Sequence, residues 1–438
     1  MTGRQLLAVA IFVLLAWARP AFAVQPLEVF LTGAQKANVD ALEAQAALEQ
    51  QEAQHDLSFG RVLPGIAARG TYTRNQYDVV FNTAAPGTPA QNVTVVPIQQ
   101  FDITATLTVP LIDLAGFQRV AAAKTAASSA GRSLASTRLL VEGTVAQNYY
   151  QLVANLALVT SAQKALDVSR ESLRLATVRR DAGVGPELDV DRARADVESQ
   201  TQQVAAAQLQ AVLAARALET ASGVAPDQTP VAGFTDQLEP APALDTFENQ
   251  VEKLPSVLAA KELTRSNEQL IDAQKLAFVP TLAGTFAEHG TSVAGLTATH
   301  AFSWQAILAL SWSLDLTTFA NLHLQEATTG VARAREQRAR LLAGDTIHRQ
   351  WSTITAGIVR SKSARAGQEA ATHAASQARD RYEAGTITQL DLLQAQRDAF
   401  VADVTRIQAD ADLVNARAQL RLAAGSSLLE NTQPAQAR

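Results

Sequence analysis

The stretch FDITATLTVPLIDLAGF, residues 101–117, decides the fold of this chain. Apolar side chains stand at every second position of its first half, at Phe101, Ile103, Ala105, Leu107 and Val109. Aspartate and threonine fill the positions between them. A period of two predicts a β-strand with one apolar and one polar face. The end of the stretch leads, from about Gly116, into a very long segment with a helical pattern.

The same alternation returns in the second half of the chain, and each of the two stretches has a weaker partner. The second apolar set is Phe302, Trp304, Ala306, Leu308, Leu310, Trp312 and Leu314. The predicted strands lie at about 62–77, 100–110, 278–288 and 302–314. Each is about ten residues long, which is the length that a tilted transmembrane strand needs. The segments between paired strands, VVFNTAAPGTPAQNVTVVPIQ (79–99) and HGTSVAGLTATHA (289–301), are predicted loops.

Two kinds of structure accommodate these strands. One is a soluble four-stranded sheet with one face exposed to solvent. In the other the strands cross a bilayer, where a sheet cannot leave its edges unpaired. Four strands cannot close a barrel, so such a chain must oligomerise, and a trimer would supply twelve strands with serine and threonine lining the lumen. Tyr72, Tyr77, Trp304 and Trp312 would then form aromatic girdles at the membrane interfaces.

A second motif occurs twice, as RRDAGVGPELDVDRARAD (179–196) and RYEAGTITQLDLLQAQRD (381–398). These copies are offset by 202 residues, and an offset of 216 aligns Glu52 with Glu268 and Pro64 with Pro280. Two copies of one plan indicate an internal duplication rather than an array of many repeats.

Each half has the same predicted order: a helix, two strands, a long helical run, a glycine turn and a return helix. The predicted helices are Leu27 to about Leu57, Gly116–Asp181 and a return to Gly223, then Phe247 to about Ala277, Phe319–Glu383 and a return to Gly425. The predicted divisions are a signal peptide (1–23), a first repeat (24–225) with its hairpin tip near 183–188, a proline-rich linker (226–246), a second repeat (247–425) with its tip near 385–390, and a C-terminal tail (426–438). An apolar heptad in the return helices, broken by Arg406, predicts antiparallel hairpins of helices wound along one another.

The N-terminus has the pattern of an export signal. Arg4 precedes an apolar core from Leu6 to Trp17, and the sequence Ala-Phe-Ala at 21–23 matches a signal peptidase site. The alternative is an uncleaved anchor, but an apolar core of about 12 residues is too short to span a membrane comfortably. The chain has no cysteine, hence no disulfide. A bacterial periplasmic or outer-membrane address fits this composition.

Enzymatic and nucleic-acid functions find no support in the sequence. The six histidines lack the spacing of a zinc protease. No nucleophile elbow, phosphate-binding loop or dinucleotide loop is present. The net charge is −5 and the basic residues are scattered, which argues against a nucleic-acid surface. We expect no catalytic residue, no metal and no cofactor.

The duplicated layout, the paired strands and the tip motifs together resemble the TolC-like outer membrane efflux protein family over almost the whole mature chain. The tip motif stands here as AGVGPELDVDRAR and AGTITQLDLLQAQ, and the strand-to-helix junctions as LTVPLIDLAGF and LSWSLDLTTFA. The resemblance implies a mainly α fold with membrane β-strands. In a homotrimer, four strands per chain would form a twelve-stranded β-barrel in the outer membrane, continuous with a long coiled-coil α-helical barrel in the periplasm.

The resemblance also implies a function and a set of partners. Such a protein is the exit duct of a tripartite efflux or type I secretion system and does no chemistry. It sits in outer membrane lipid of a Gram-negative bacterium and docks to a periplasmic adaptor and an inner-membrane pump of RND, ABC or MFS type. The alternative function is a soluble periplasmic coiled-coil scaffold or adaptor.

The glycines and aspartates of the tip motifs have a purely structural explanation. Gly183 and Gly385 suit left-handed helix C-caps, and Pro186 suits the first helical position. Thr388 with Asp391 three residues later resembles a capping box. By this explanation Asp391 and Asp189 are there to cap helices, and an acid in a first helical turn is also stabilised by the helix dipole.

The resemblance implies a second role for these residues, in closing the periplasmic end of the pore. By position, the residues that close the pore in the family fall on Tyr382, Asp189 and Asp391. In a trimer Asp391 becomes a ring of three carboxylates, which attracts cations. The expected adaptor contacts at the tips are Gly183, Gly185, Gly385 and Thr386.

This chain departs from the family pattern at two positions of the tip. The family's arginine is replaced by Ile387 and its second aperture aspartate by Gln394. Arg381 or Arg179 is a candidate substitute for the missing arginine. We therefore expect a closed tip with fewer polar contacts than the family pattern implies.

Overall fold

The computed structural model describes residues 24–83, 91–228, 233–293 and 302–430. The predicted signal peptide and most of the predicted tail lie outside the described residues, as do parts of both predicted loops. Among the helices in the described part of the chain, none combines the length and the apolar character that crossing a bilayer requires.

Helices make up most of the described chain. The first half contains α1 (Leu27–Ala37), α2 (Val39–Gly60), the long α3 (Leu114–Asp181) and its return helix α4 (Glu187–Ser222). The second half contains the short α5 (Asp245–Glu248), a 3₁₀ turn (Val251–Lys253), α6 (Pro255–Leu276), the long α7 (Leu316–Glu383) and its return helix α8 (Gln389–Ala423). Both long helices have 68 residues.

The duplication seen in the sequence is reproduced by the helix bounds. α7 begins and ends 202 residues after α3 (316 against 114, 383 against 181), and α6 begins and ends 216 residues after α2 (255 against 39, 276 against 60). The strand-to-helix junctions repeat as well. Asp113 accepts a hydrogen bond from the N–H of Gly116 at 2.7 Å, and Asp315 accepts one from the N–H of Thr318 at 2.9 Å. Each aspartate satisfies an N–H that the first helical turn leaves free.

Two of the predicted helices have the wrong bounds. The helix predicted from Leu27 to about Leu57 is two helices, because Asn38 is extended (φ −71°, ψ 128°). Its side-chain oxygen accepts hydrogen bonds from two N–H groups at the start of α2, so Asn38 caps a new helix. The second helix, predicted from Phe247, begins only at Pro255. A proline fits a first helical turn but disfavours helical backbone in the residue before it.

The principal strands form one antiparallel sheet of order β1-β4-β5-β6. Its strands are β1 (Gly65–Arg74), β4 (Gln99–Ile112), β5 (Thr281–Thr291) and β6 (Phe302–Ser311). The central pair β4–β5 joins one strand from each repeat. β1 and β6 are therefore the two edges of this sheet and have no outer partner within the described chain.

The register places the predicted apolar sets on one face of the sheet. Leu107 pairs with Ile66 and Phe286, and Phe286 pairs with Ala306, so these four positions share a face. On the opposite face Thr104 lies across from His289, which lies across from Ser303 in turn. One face is thus mainly apolar, with Glu288 between Ala105 and Trp304 as an exception, and the other face is mainly polar.

The predicted loop at 79–99 is wrong in part, because it contains a second, two-stranded sheet. β2 (Val79–Thr83) pairs antiparallel with β3 (Gln91–Val96), with Phe81 opposite Val93. Both segments are rich in valine, whose branched side chain favours strands. Pro86, Gly87 and Pro89 lie between the two strands, outside the described residues.

Contacts divide the described chain into two compact units, which do not coincide with the two repeats. The first takes residues from Met1–Gln45, Leu134–Ser256 and Arg340–Arg438, and the second takes Ala46–Ser133 and Val257–Ala339. The core of the first unit is apolar, and its fully buried side chains include Phe30, Leu152 and Leu218. The second unit contains the four-stranded sheet, α6 and the adjoining parts of α2, α3 and α7.

The described part of the predicted proline-rich linker packs across helices of the first unit. Phe234 lies 5.2 Å from the ring of Tyr150 on α3. Asp236 accepts two hydrogen bonds from Arg417 on α8, at 2.8 and 3.0 Å. The indole N–H of Trp351 on α7 donates to the Pro242 carbonyl at 2.8 Å. The segment therefore contacts helices of both repeats.

Candidate functional site

The two hairpin tips turn in the same way. Gly183 and Gly385 have left-handed backbones, with φ of 74° and 76°. In each tip the N–H of the glycine and that of the next residue donate to carbonyls in the last turn of the long helix, at 2.8 to 3.0 Å. This is the Schellman arrangement, which satisfies the free carbonyls at a helix end. The predicted left-handed C-caps are confirmed.

The other predicted tip residues fit closely against the end of their long helix. At the first tip, a Cβ added at Gly185 would lie 3.2 Å from the Cβ of Arg179, so a glycine lets the turn pass close to α3. At the second tip, the Thr386 hydroxyl donates to the Arg381 carbonyl at 3.0 Å. Both turns present short, exposed side chains at the end of their hairpins.

The return helices begin differently in the two repeats. At the start of α8, Thr388 and Asp391 form the predicted capping box, in which each side chain accepts a hydrogen bond from the other's backbone N–H. At the start of α4, Pro186 stands at the N-cap and not at the first helical position predicted for it, and it offers no side-chain cap. Only the second tip has a helix start fixed by side chains.

Asp391 is exposed and held by Thr388. Its carboxylate accepts from the Thr388 hydroxyl at 2.7 Å and from the Thr388 N–H at 3.0 Å. These hydrogen bonds, the hydroxyl first, hold the pKa of Asp391 below its ordinary value. The carboxylate is therefore charged at any pH near neutrality. The capping explanation of Asp391 is confirmed, and its charge still faces solvent.

Asp189 has a different environment, although it occupies the same position of the repeat. It makes no capping hydrogen bond, because the N-cap is Pro186. Its side chain is 20 % exposed and lies 3.9 Å from Arg192 one turn along α4. The capping explanation of Asp189 is wrong as far as a side-chain hydrogen bond is concerned, although the residue does lie in the first turn of α4.

Tyr382 is the buried member of the predicted gate, and only 2 % of it is exposed. Its hydroxyl oxygen is buried and has no hydrogen-bond partner among the described residues. Burial raises the pKa of this hydroxyl above its ordinary value; the charge of Asp189 raises it further, and that of Arg179 opposes the rise. The tyrosine therefore stays protonated at neutral pH.

The side chain that contacts Tyr382 is Arg179, one of the two substitutes considered from the sequence. Its guanidinium carbon lies 4.8 Å from the centroid of the tyrosine ring, and its Nη1 donates to the Tyr382 carbonyl at 2.6 Å. Arg179 lies in the last turn of α3 and Tyr382 in the last turn of α7, so the contact joins the two hairpins. The other candidate, Arg381, makes no side-chain hydrogen bond or ion pair among the described residues.

Further polar contacts join the hairpins away from the tips, and sequence reasoning missed them. Arg397 on α8 donates to Asp196 on α4 at 3.2 Å. The Gln396 amide donates to the Ser172 hydroxyl on α3 at 2.9 Å. The sequence offered one weak indication of these contacts, because Asp196 belongs to the repeated tip motif.

The polar break in the heptad, Arg406, belongs to a buried cluster. Arg406 pairs with Asp403 at 2.9 Å and with Asp410 at 3.5 Å on its own helix. Asp410 also pairs with Arg365 of α7 at 2.9 Å and accepts from the hydroxyl of Ser361. Asp410 is almost fully buried, and opposite charges offset the cost of burying it.

The side chains at the two departures from the family pattern form no hydrogen bond or ion pair between the hairpins among the described residues. Ile387 is a half-buried apolar residue in the second turn. The Gln394 amide donates to Asp398 on its own helix at 2.9 Å. The prediction of fewer polar contacts at this tip is untested, but the contact through Arg179 was not part of it.

The predicted aromatic girdle residues are all exposed on the single chain, at 62 to 72 %. Tyr72 and Trp304 lie within β1 and β6, near the ends that lead to the loops. Tyr77 lies just beyond β1 on the same side. Trp312 follows the other end of β6, and its indole N–H donates to the Phe278 carbonyl at 3.1 Å.

No group of three or more acidic or histidine side chains in the described ranges is arranged to hold a metal ion. On the polar face of the sheet His289 lies 3.5 Å from Asp102. This pair has only two ligand side chains, fewer than the three or four that a protein metal site usually supplies.

Comparison with known proteins gives a family and several similar structures. The outer membrane efflux protein family matches residues 30–224 and 249–426. Outer membrane protein OprJ of Pseudomonas aeruginosa is 26 % identical over 385 residues, which are 82 % of this chain and 75 % of OprJ.

Two solved structures illustrate the likeness of fold. The outer-membrane channel OprN is 23 % identical with a TM-score of 0.77, over 91 % of this chain and 90 % of OprN. The MtrE outer membrane channel of Neisseria gonorrhoeae, solved in its open state, is 19 % identical with a TM-score of 0.74, over 92 % and 90 %. At these identities the likeness concerns the fold alone.

Proposed function

Because this chain belongs to the outer membrane efflux protein family, we propose that it is the exit duct of a tripartite efflux or type I secretion system. The observation that carries the proposal is the four-stranded sheet, which has one mainly apolar face, interrupted at Glu288, and two edges that lack a partner among the described residues. Such a sheet cannot stay in a bilayer alone, since each unsatisfied backbone group there costs several kcal/mol. Closure of the sheet with other copies removes both edges.

A homotrimer supplies that closure. The edge β6 of one chain would pair with the edge β1 of the next, which yields a twelve-stranded barrel with its apolar face toward lipid. The exposed aromatic residues near both ends of the strands support this orientation, because tyrosine and tryptophan gather at membrane interfaces. The polar face then lines the lumen.

The partners follow from the hairpin tips in the first unit. The tips at Gly183, Gly185, Gly385 and Thr386 would dock on a periplasmic adaptor, which links the duct to an inner-membrane pump. The short exposed side chains of both turns support close approach of another protein. The pump would be of RND, ABC or MFS type.

The same tips would close the duct. Asp391 is exposed and charged, and threefold symmetry makes it a ring at the aperture. Tyr382 is buried against Arg179 of the neighbouring hairpin, which supports a role for it in holding the tip. We assign Asp391 to the aperture, and Tyr382 and Asp189 to its support.

The test is to purify the mature protein in detergent and record currents across a planar lipid bilayer. A duct gives heat-modifiable trimers in the outer membrane fraction and discrete conductance steps. Release of the protein with the soluble periplasm, and no conductance, would instead support the soluble scaffold and contradict the duct.

A further inference from the structure

We propose that Arg179 holds the tip closed by binding the ring and the backbone carbonyl of Tyr382, without the tyrosine hydroxyl. This inference rests on the proposed duct and its gate. It names the contact that keeps the two hairpins of one chain together at the tip.

The geometry of Arg179 carries the first step. Its guanidinium stands over the Tyr382 ring, 4.8 Å from the centroid, and its Nη1 donates to the carbonyl of the same residue at 2.6 Å. A guanidinium is planar and always charged, so it stacks on a ring and donates hydrogen bonds at the same time. One side chain of α3 therefore makes two different contacts with one residue of α7.

The carbonyl that Arg179 reaches lies at a strongly polarised place. It belongs to the last turn of α7 and also accepts the N–H of Gly385 in the Schellman turn. Helix C-termini carry partial negative charge, which favours a cation. Arg179 is itself in the last turn of α3, so its charge lies at the C-termini of both long helices.

The tyrosine hydroxyl takes no part in these contacts. It is buried and has no hydrogen-bond partner among the described residues. A hydroxyl bond from Tyr382 to Asp189 would be the obvious alternative for holding the tip, and it is not formed. The ring and the carbonyl are what connect this residue to the other hairpin.

The duplication supplies an internal comparison, because the contact exists at only one of the two equivalent places. The repeat counterpart of Arg179 is Arg381, whose side chain is exposed and forms no hydrogen bond or ion pair within the described ranges. The counterpart of Tyr382 is Arg180, which pairs with Asp181 and Glu187 of its own hairpin. Arg381 is thus a matched control: it has the same charge, a similar position and no such contact.

Single-channel conductance of purified variants in planar bilayers tests the proposal. We expect Arg179→Ala and Tyr382→Ala to raise the conductance about twofold or more, since both release the two hairpins. Tyr382→Phe and Arg381→Ala should match the unchanged protein. Arg179→Lys should lie between, because an ammonium keeps the charge and loses the planar stack.

Amide hydrogen exchange of the same variants in detergent tests the contact without a pore. The amides of residues 381–386 should exchange faster in Arg179→Ala and Tyr382→Ala, and their exchange rates should be unchanged in Tyr382→Phe. Equal behaviour of Arg179→Ala and the unchanged protein in both measurements would overturn the proposal, as would opening by Tyr382→Phe as large as that by Tyr382→Ala. If the protein without substitutions forms no pores, the proposed duct is contradicted. Amide hydrogen exchange would still decide whether Arg179 holds the tip.

Discussion

Asp189 and Asp391 occupy the same position of the duplication, and their surroundings give them different properties. Asp391 is bound by a threonine and is exposed, so its charge is fixed and accessible. Asp189 follows a proline, is largely covered and lies near a buried tyrosine hydroxyl. The residue at the N-cap decides this difference, because threonine can bond a carboxylate and proline cannot.

Replacement of Asp391 by alanine should weaken block of the duct by a polyvalent cation without unfolding the trimer. The reason is that the variant removes three carboxylates from the proposed aperture. Block by hexaamminecobalt(III) in single-channel recordings measures the effect. Asp412→Ala is the control, since Asp412 is an equally exposed carboxylate on the same helix, paired with Arg360. Unchanged block and conductance in Asp391→Ala would rule out the aperture role.

The pH dependence of that block follows from the lowered pKa of Asp391. A carboxylate with a depressed pKa keeps its charge as the solution is acidified, and its stabilising hydrogen bonds are lost only as the pH falls through the folded-state value. Block should therefore persist from neutral pH into the acidic range and be lost only where carboxylates become protonated. A titration of block that already fades near pH 6 would show that another group sets it.

The ends of the long helices and the faces of the strands follow strong local sequence signals. Glycines end both long helices and aspartates begin them, and the helix bounds accordingly fall at the same repeat positions. One error occurred where a polar residue that can cap a helix lies inside a helical pattern. Asn38 broke a predicted helix because its side chain could cap the next one.

Thr388→Ala should loosen the start of α8. The variant removes the hydroxyl half of the capping box, a loss of about 1 kcal/mol of helix-end stability. Faster amide exchange in the first turn of α8 is the expected result, with Thr388→Ser as the variant that retains the hydroxyl. The start of α4, which has no side-chain cap, should exchange faster than α8 in the unchanged protein; equal protection of both would contradict this account.

The contact between α3 and α6 indicates how a second copy of the chain would pack. In the second unit α3 meets α6, where the Ser266 hydroxyl donates to the Ala122 carbonyl at 2.8 Å and both residues are buried. The repeat counterparts of these residues are Gln50 on α2 and Leu324 on α7, and both are exposed on the single chain, Leu324 at 65 %. In the proposed trimer α7 of one copy would meet α2 of the next as α3 meets α6.

Cysteines at Gln50 and Leu324 should therefore form a disulfide between copies. The chain has no cysteine of its own, so any covalent oligomer on oxidation arises from the introduced pair. Denaturing gels without reductant should show dimers and trimers of the double variant. The control pair Glu52→Cys and Glu326→Cys lies about 200° further around the same helices and should remain monomeric. If the control pair forms a disulfide and the cysteines at Gln50 and Leu324 do not, the proposed contact between α7 and α2 of neighbouring copies is refuted.

The four principal strands, the two long helical hairpins and their duplication follow from local sequence patterns alone. Strand alternation, helix caps and the two tip motifs depend on neighbouring residues, so each can be recognised in a short stretch of sequence. Phe101 to Val109 predicted a strand with one apolar face, and the offsets of 202 and 216 predicted equivalent helices. The resemblance to outer membrane efflux proteins followed from the same local features.

The tertiary structure decided which distant residues meet. It pairs β4 with β5 across the repeats, sets Arg365 of α7 against Asp410 of α8, and sets Arg179 over Tyr382. The residues of each such contact come from helices or strands far apart in the chain, so local pattern cannot choose among the possible partners. Arg179 and Arg381 are equivalent in the repeat, and only the packing of α3 beside α7 selects Arg179 for the tip.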